Sequence, residues 1–484
     1  MPNRFELRKS FVVLFGLALV ATGSARAGQP LALHPDNPHY FLWQGRPAVL
    51  VGSGEHYGAV LNLDFDYVTY LKTLQADGLN HTRTFSGVYR EVPSSFHITD
   101  NPLAPKPNRY ICPWARSDTP GYYDGGNKFD LTRWDPVYFR RLKDFLRWAA
   151  RCGVVVEFNL FCPLYNDELW RASPLNAANN VNGVGNCPRT EVYTLKHPDL
   201  LDVQLRFVRK VVTELRDFDN LYYEVCNEPY FGGVTLEWQH RVVDTIVETE
   251  KDFPKRHLIS MNIANGRKRV DRPHPKVSIL NFHYCVPPDT VALNYDLNRV
   301  IGENETGFRG KADVLYRTEA WDFLLAGGAL FSHLDYSFTP GHPDGTLRDY
   351  RSPGGGSPEL RRQLRVLRQF MEKLPLVRMK PDNSVVLSVQ PKLSAWALVE
   401  PGKTYAVSLH VPLPRKPKKL DQLLRKDLTC RVTLKLPSGR FLAEWVDTKT
   451  GRTVGSEQFQ HAGGPRVLAS PAFDNDIALR VQRL

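Results

Sequence analysis

From residue 47 to residue 373 the chain repeats one rhythm: a short apolar run, then a stretch whose apolar residues recur at helical spacing. Runs at 47–51, 79–85, 153–160, 221–226, 257–263, 277–282, 299–302 and 329–334 read as eight strands. Helical patterns follow at 64–74, 135–151, 198–216, 235–250, 312–326 and 358–373; in the second, Phe139, Leu142, Phe145, Leu146 and Ala149 fall on one face. Nearly all the strands are continuously apolar rather than alternating, as a parallel sheet buried on both faces requires. Strand–helix alternation on this scale predicts an α/β fold, a (β/α)8 TIM barrel. A doubly wound open sheet competes, but no G-x-G-x-x-G follows the first strand.

Near residue 385 the period shortens to two. Tyr405, Val407 and Leu409 alternate with polar residues, as do Val432, Leu434 and Leu436, then Phe441, Ala443 and Trp445. Turn signals at 401–402, 437–439 and 449–451 separate them, so a small all-β sandwich follows the barrel. The expected organisation is a leader at 1–27, a catalytic barrel at 28–377 and a sandwich at 378–484.

The leader reading rests on Arg4, Arg8 and Lys9, an eleven-residue apolar run from Phe11 to Ala21, and Ala25-Arg-Ala27 as a small-x-small cleavage site. The run is shorter than the ~20 residues of a spanning helix, so it predicts an export signal cleaved after Ala27 and no membrane span thereafter. The mature protein is expected to be secreted or periplasmic. The net charge of +12 over 484 residues is too small an excess to imply nucleic acid, and no nucleic-acid motif accompanies it. Seven cysteines permit disulfides in an oxidising compartment but leave at least one unpaired within the chain; Cys162 and Cys187 bracket one loop and are the first pair to test, against a reading of buried small hydrophobes.

The long connections follow strands two, three and eight, at the end where barrels build their sites. Tyr89, Tyr110, Trp114, Tyr122, Tyr123, Tyr165 and Trp170 lie in the first two, either as a cleft that stacks on sugars or as packing beneath a loop. The basic stretch Arg415-Lys-Pro-Lys-Lys419 reads as a solvated loop of the sandwich, with an acidic glycan or a cell-wall surface as the alternative partner.

The fourth strand ends in Tyr222-Tyr-Glu-Val-Cys-Asn-Glu-Pro229. Strand-end carboxylates face the barrel cleft, and an amide beside one can hold a substrate hydroxyl. Asn227-Glu228-Pro229 in this position resembles the Asn-Glu-Pro signature of clan A glycoside hydrolases, which implies Glu228 as acid/base. Arg299-Val-Ile-Gly-Glu-Asn-Glu-Thr-Gly-Phe308 is similar to the strand-seven nucleophile motif of family 5. Glu303 and Glu305 compete there, since residues two apart on a strand share a face. Glu305, before Thr-Gly, fits the cellulase-like and apiosidase-like pattern better, with Glu303 as the alternative.

The same resemblance implies Arg83 as the residue orienting the nucleophile, His283 and Tyr284 as its hydrogen-bond partners, and His56 as a sugar contact. For Arg83 a barrel-bottom salt bridge, and for His283 a satisfied core histidine, are the structural alternatives. The segment 443–451 resembles a C-terminal β-domain of the collagen-binding type found behind such barrels, a label that carries no function here. Clan A barrels usually end strand eight with a tryptophan under the sugar; this chain has Phe331-Ser-His-Leu-Asp-Tyr-Ser-Phe338, where Tyr336 or Phe338 would serve instead.

The implied function is an exported retaining O-glycosyl hydrolase acting on an oligo- or polysaccharide by double displacement. That chemistry needs no metal or cofactor. H-E-x-x-H, G-x-S-x-G and P-loop motifs are missing from the sequence. The other readings are a catalytically silent glycan-binding barrel and a transglycosylase using the same two carboxylates.

Overall fold

The computed structural model describes residues 29–54 and 57–484. The leader at 1–27 and its cleavage point lie outside the described residues, as do Glu55 and His56. The strands Leu50–Ser53, His81–Phe85, Val155–Phe161, Leu221–Cys226, Ile259–Asn265, Ile279–His283, Val300–Glu305 and Leu330–His333 form one sheet in the order 1-8-7-6-5-4-3-2. Every ladder in it is parallel. Strands one and two, the ends of that order, meet through Asn80. Its backbone N–H donates to Val51 O at 3.2 Å, its Nδ2 to Val49 O at 3.0 Å, and its Oδ1 accepts from Val51 N at 2.8 Å. A side chain thus closes the barrel where a ladder would otherwise run. The expected (β/α)8 fold is present.

The outer helices start where the sequence supplies caps. Asp135 Oδ1 accepts from Val137 N at 2.8 Å ahead of Pro136–Arg151, and Thr235 Oγ1 from Trp238 N at 3.3 Å ahead of Leu236–Thr249. Phe139, Leu142, Phe145 and Leu146 are buried as the helical spacing required, each contributing about 1.5–3 kcal/mol by burial. Among the described residues no helix is long and apolar enough to cross a membrane.

Three features were not anticipated. A three-stranded antiparallel sheet, Ala32–His34, Asn37–Trp43 and Arg46–Ala48, precedes the barrel. It lies at the end remote from the cleft, where Leu31 N donates to Asp219 O just before strand four. A hairpin of Trp114–Pro120 and Asn127–Trp134 occupies the loop after strand two. Strand seven runs to Glu305, three residues beyond its expected end.

From Lys380 onward the strands belong to two antiparallel sheets, one of six strands and one of three. Val432, Leu434, Phe441, Ala443 and Trp445 fill the space between them. This unit docks on the helix Asp313–Leu325. Arg317 donates to both carboxylate oxygens of Asp476 at 2.6 and 2.8 Å, and Asp322 accepts from Ser408 Oγ at 3.0 Å and faces His410 Nε2 at 2.8 Å. Covered by barrel on one side and sandwich on the other, every residue from Val314 to Leu325 is buried.

Candidate active site

The site is organised from below by Arg83 on strand two, which is fully buried. Nε donates to Glu157 at 2.6 Å, and Nη2 to Glu224 at 3.2 Å and Asn227 Oδ1 at 2.9 Å. Nη1 donates to Tyr57 OH at 2.7 Å and to Glu305 Oε2 at 3.2 Å. A guanidinium fork with this many fixed acceptors is a rigid point charge in a low-dielectric interior. Burial pushes the Glu157 carboxyl up, with Arg83 opposing and Glu224 adding to it.

Glu228 follows the end of strand four. Its backbone adopts φ +37°, a conformation that persists in a non-glycine residue only where the surroundings enforce it. Oε2 accepts from Tyr165 OH at 2.8 Å; Oε1 accepts from Tyr230 OH at 3.2 Å and lies 3.1 Å from His283 Nδ1. Asn227 beside it donates from Nδ2 to Tyr165 OH at 3.1 Å.

Glu305 closes strand seven. Oε1 accepts from Tyr284 OH and Oε2 from Tyr57 OH, each at 2.5 Å. Burial alone would push its pKa up. The charges of His283 and Arg83 and the Tyr284 and Tyr57 hydroxyls outweigh that and hold it below the usual carboxylate range.

Glu303 does not share this face. The pairing with strand six skips a residue, Phe282 opposing Glu303 and His283 opposing Glu305, so Asn304 is the extra residue of a bulge. Asn304 therefore projects into the barrel, donating to Glu157 at 3.0 Å and Glu224 at 2.9 Å. Glu303 turns to the helix layer, accepting from Cys285 N at 2.5 Å. Burial and the neighbouring Glu319 push its pKa well up, the opposite of Glu305. The rule that residues two apart share a face fails here because the bulge resets the alternation.

Strand six supplies the link between the two cleft carboxyls. His283 Nδ1 lies 3.1 Å from Glu228 Oε1 and 3.6 Å from Glu305 Oε1. Burial drives the imidazole pKa down; the two carboxylates outweigh it, and the net shift is upward. Tyr284 takes φ +57°, so consecutive residues both reach Glu305. Single ligand atoms of Glu228, His283 and Glu305 lie within 4.8 Å of one another, close enough to hold a metal ion. That donor set fits a cation poorly, since Arg83 and four tyrosine hydroxyls already engage the carboxylates.

Of these groups, Tyr57, Tyr165, Asn227, Glu228, Tyr284 and Glu305 line a cleft of about 340 Å³. Tyr336 is on its wall, whereas Phe338 is buried, edge-on to Tyr70 at 4.9 Å. Of the loop aromatics, Tyr89 and Tyr165 line the cleft; Tyr110, Trp114, Tyr122 and Trp170 are packing, and Tyr123 is exposed. His56 lies outside the described residues. Cys162 and Cys187 are not bonded to each other: all seven cysteines are free and all but Cys187 are buried, so the small-hydrophobe reading replaces the bridge.

Sequence reasoning missed Tyr57, Tyr230 and Glu91. Tyr230 stands two residues past Glu228 and was in plain view. Glu91, on the long loop after strand two, lines the cleft and accepts from Asn101 Nδ2 at 2.5 Å and Tyr89 OH at 3.1 Å. Burial pushes its pKa up to about 7 despite those two donors. No local signal separates it from other loop glutamates.

No family model and no curated sequence matches the chain. Its fold does have solved neighbours. A protein provisionally named a glycoside hydrolase, from Bacteroides vulgatus, aligns with a TM-score of 0.63 at 15% identity over 96% of this chain and 83% of that one. A glycoside hydrolase family 5 structure from the same organism aligns with a TM-score of 0.61 at 13% identity over 94% of each chain. At such identities the likeness is one of fold, and it extends over the barrel and the β-rich C-terminal unit.

Proposed function

We propose that the protein is a retaining glycoside hydrolase with Glu305 as nucleophile and Glu228 as acid/base. One observation carries the reading: two buried carboxyls from strands four and seven meet at a single histidine, with ligand atoms within 4.8 Å. Retaining enzymes hold their carboxyl groups about 5–5.5 Å apart, whereas inverting ones leave about 6.5–9.5 Å for a water. The fold likeness to solved structures named as glycoside hydrolases, one of them of family 5, supports the glycosidase reading.

In the first step a Glu305 oxygen attacks the anomeric carbon as the bond to the leaving oxygen breaks, and Glu228 gives that oxygen its proton. In the second, water attacks the glycosyl ester, Glu228 takes its proton, and Glu305 leaves as carboxylate. Arg83, Tyr57 and Tyr284 stabilise the ionised nucleophile; Tyr165 and Tyr230 orient Glu228. Tyr336 and Tyr89 offer faces for the sugar. The leader pattern at 1–27 supports export to the periplasm or beyond.

The test is a screen of aryl glycosides and plant and microbial polysaccharides with the wild type, Glu228→Gln and Glu305→Gln. Turnover by the wild type that falls at least ~10³-fold in both variants is expected. Glycan binding that both variants retain, without wild-type turnover, would instead mark a silent binding barrel. Transfer to an added sugar in place of water would mark a transglycosylase.

A further inference from the structure

The connection between the sandwich strands Thr404–His410 and Arg431–Leu436 leaves its own unit and reaches the barrel cleft. Arg415 and Lys416 line the same cavity as Glu228 and Glu305. The loop is held there by Arg309, a buried residue that follows strand seven. Its Nε donates to Arg415 O at 2.9 Å and its Nη2 to Pro414 O at 3.3 Å, while Nη1 is fixed by Glu319 at 2.8 Å and Leu315 O at 2.7 Å. Pro412, Pro414 and Pro417 restrict the backbone on both sides.

The Arg415 guanidinium stands 5.7 Å from the ring centroid of Tyr284, whose hydroxyl bonds Glu305. Both cationic side chains are exposed to the cleft mouth, and among the described residues neither pairs with a carboxylate. A basic loop serving only solubility has no need of a buried arginine pinning its backbone at a cleft. Among the described residues, the carboxyls that line the cleft (Glu91, Glu228 and Glu305) are all engaged by other donors, so a negative charge brought by a ligand would meet two cations that have no carboxylate partner.

We propose that Arg415 and Lys416 form a subsite for an anionic group of the glycan, a uronic-acid carboxylate or a sulfate ester, so that the C-terminal unit helps to set substrate choice. This rests on the reading of the cleft as a glycoside hydrolase site.

The experiment is calorimetric binding by the full-length protein of uronic-acid and sulfated oligosaccharides, each paired with its carboxyl-reduced or desulfated counterpart. At least one acidic series should bind about tenfold or more tightly than its neutral partner, and which series does so separates carboxylate from sulfate. The double variant Arg415→Gln/Lys416→Gln, folded to an unchanged thermal midpoint, should lose that preference and keep the neutral affinity. Equal affinity for acidic and neutral members across the panel, or a preference the double variant retains, overturns the proposal. Charge-dependent binding without turnover of any member would overturn the hydrolase reading and leave the subsite standing; turnover confined to neutral glycans with no charge preference would do the reverse.

Discussion

Tyr57→Phe removes the hydroxyl that donates to Glu305 and accepts from Arg83, and keeps the ring. A donor to the ionised carboxylate favours that form, so its loss raises the Glu305 pKa. The acidic limb of kcat/KM should move up by about one pH unit and the plateau fall about tenfold; a pH–rate profile with an unmoved acidic limb would contradict this role. Glu91 titrates with the opposite sign. Its folded pKa of about 7 lies above the ordinary 4.5, so the folded state holds a proton that the unfolded chain releases. The stability this gives is complete below about pH 4.5 and is lost as pH rises through 7, amounting to roughly 3 kcal/mol. Thermal unfolding of Glu91→Gln against the wild type should therefore show a gap in favour of the variant that opens between about pH 5 and 8. Asn227-Glu228-Pro229 was legible because its meaning is local. Tyr284 came with the same resemblance, and Tyr230 is local to Glu228; Tyr57 and Tyr165 could not be assigned to a carboxyl, since only the closed barrel brings them there.

At the scale of elements, apolar runs and cap residues were enough to place all eight barrel strands and most of the helices. The errors have physical causes. Strand seven was ended at Gly302 because the apolar run stops there; the barrel interior here is polar, with Glu157 and Glu224 accepting from Asn304, so the strand continues. The N-terminal sheet was missed because Pro38 discourages a strand at Asn37–Trp43 and because Arg46–Ala48 runs into the segment read as the first barrel strand. The helix Asp313–Leu325 has no exposed face beyond its first residue because it is covered on both sides, and its bond to Asp476 through Arg317 is buried. Removing one partner of such a pair strands a buried charge, so Arg317→Ala should cost about 3–5 kcal/mol. Denaturant unfolding should show the sandwich loosening before the barrel; an unaltered midpoint would mean that the apolar contacts alone hold the two together.

On the scale of the whole molecule, the sequence indicated a barrel followed by a sandwich but not how they meet, because nothing in residues 415–419 distinguishes a solvated loop from one pinned by Arg309 in another unit. What the fold achieves is convergence: strands four and seven stand apart in the barrel order, yet each ends with a carboxyl at His283. The most direct measurement of that convergence is the configuration of the product, followed by proton NMR in the first minutes of hydrolysis of any glycoside the protein cleaves. The first sugar released should carry the anomeric configuration of the substrate, with mutarotation appearing only later. Release of the opposite anomer would mean that a water sits between the two carboxyls, and Glu305 would not be the nucleophile.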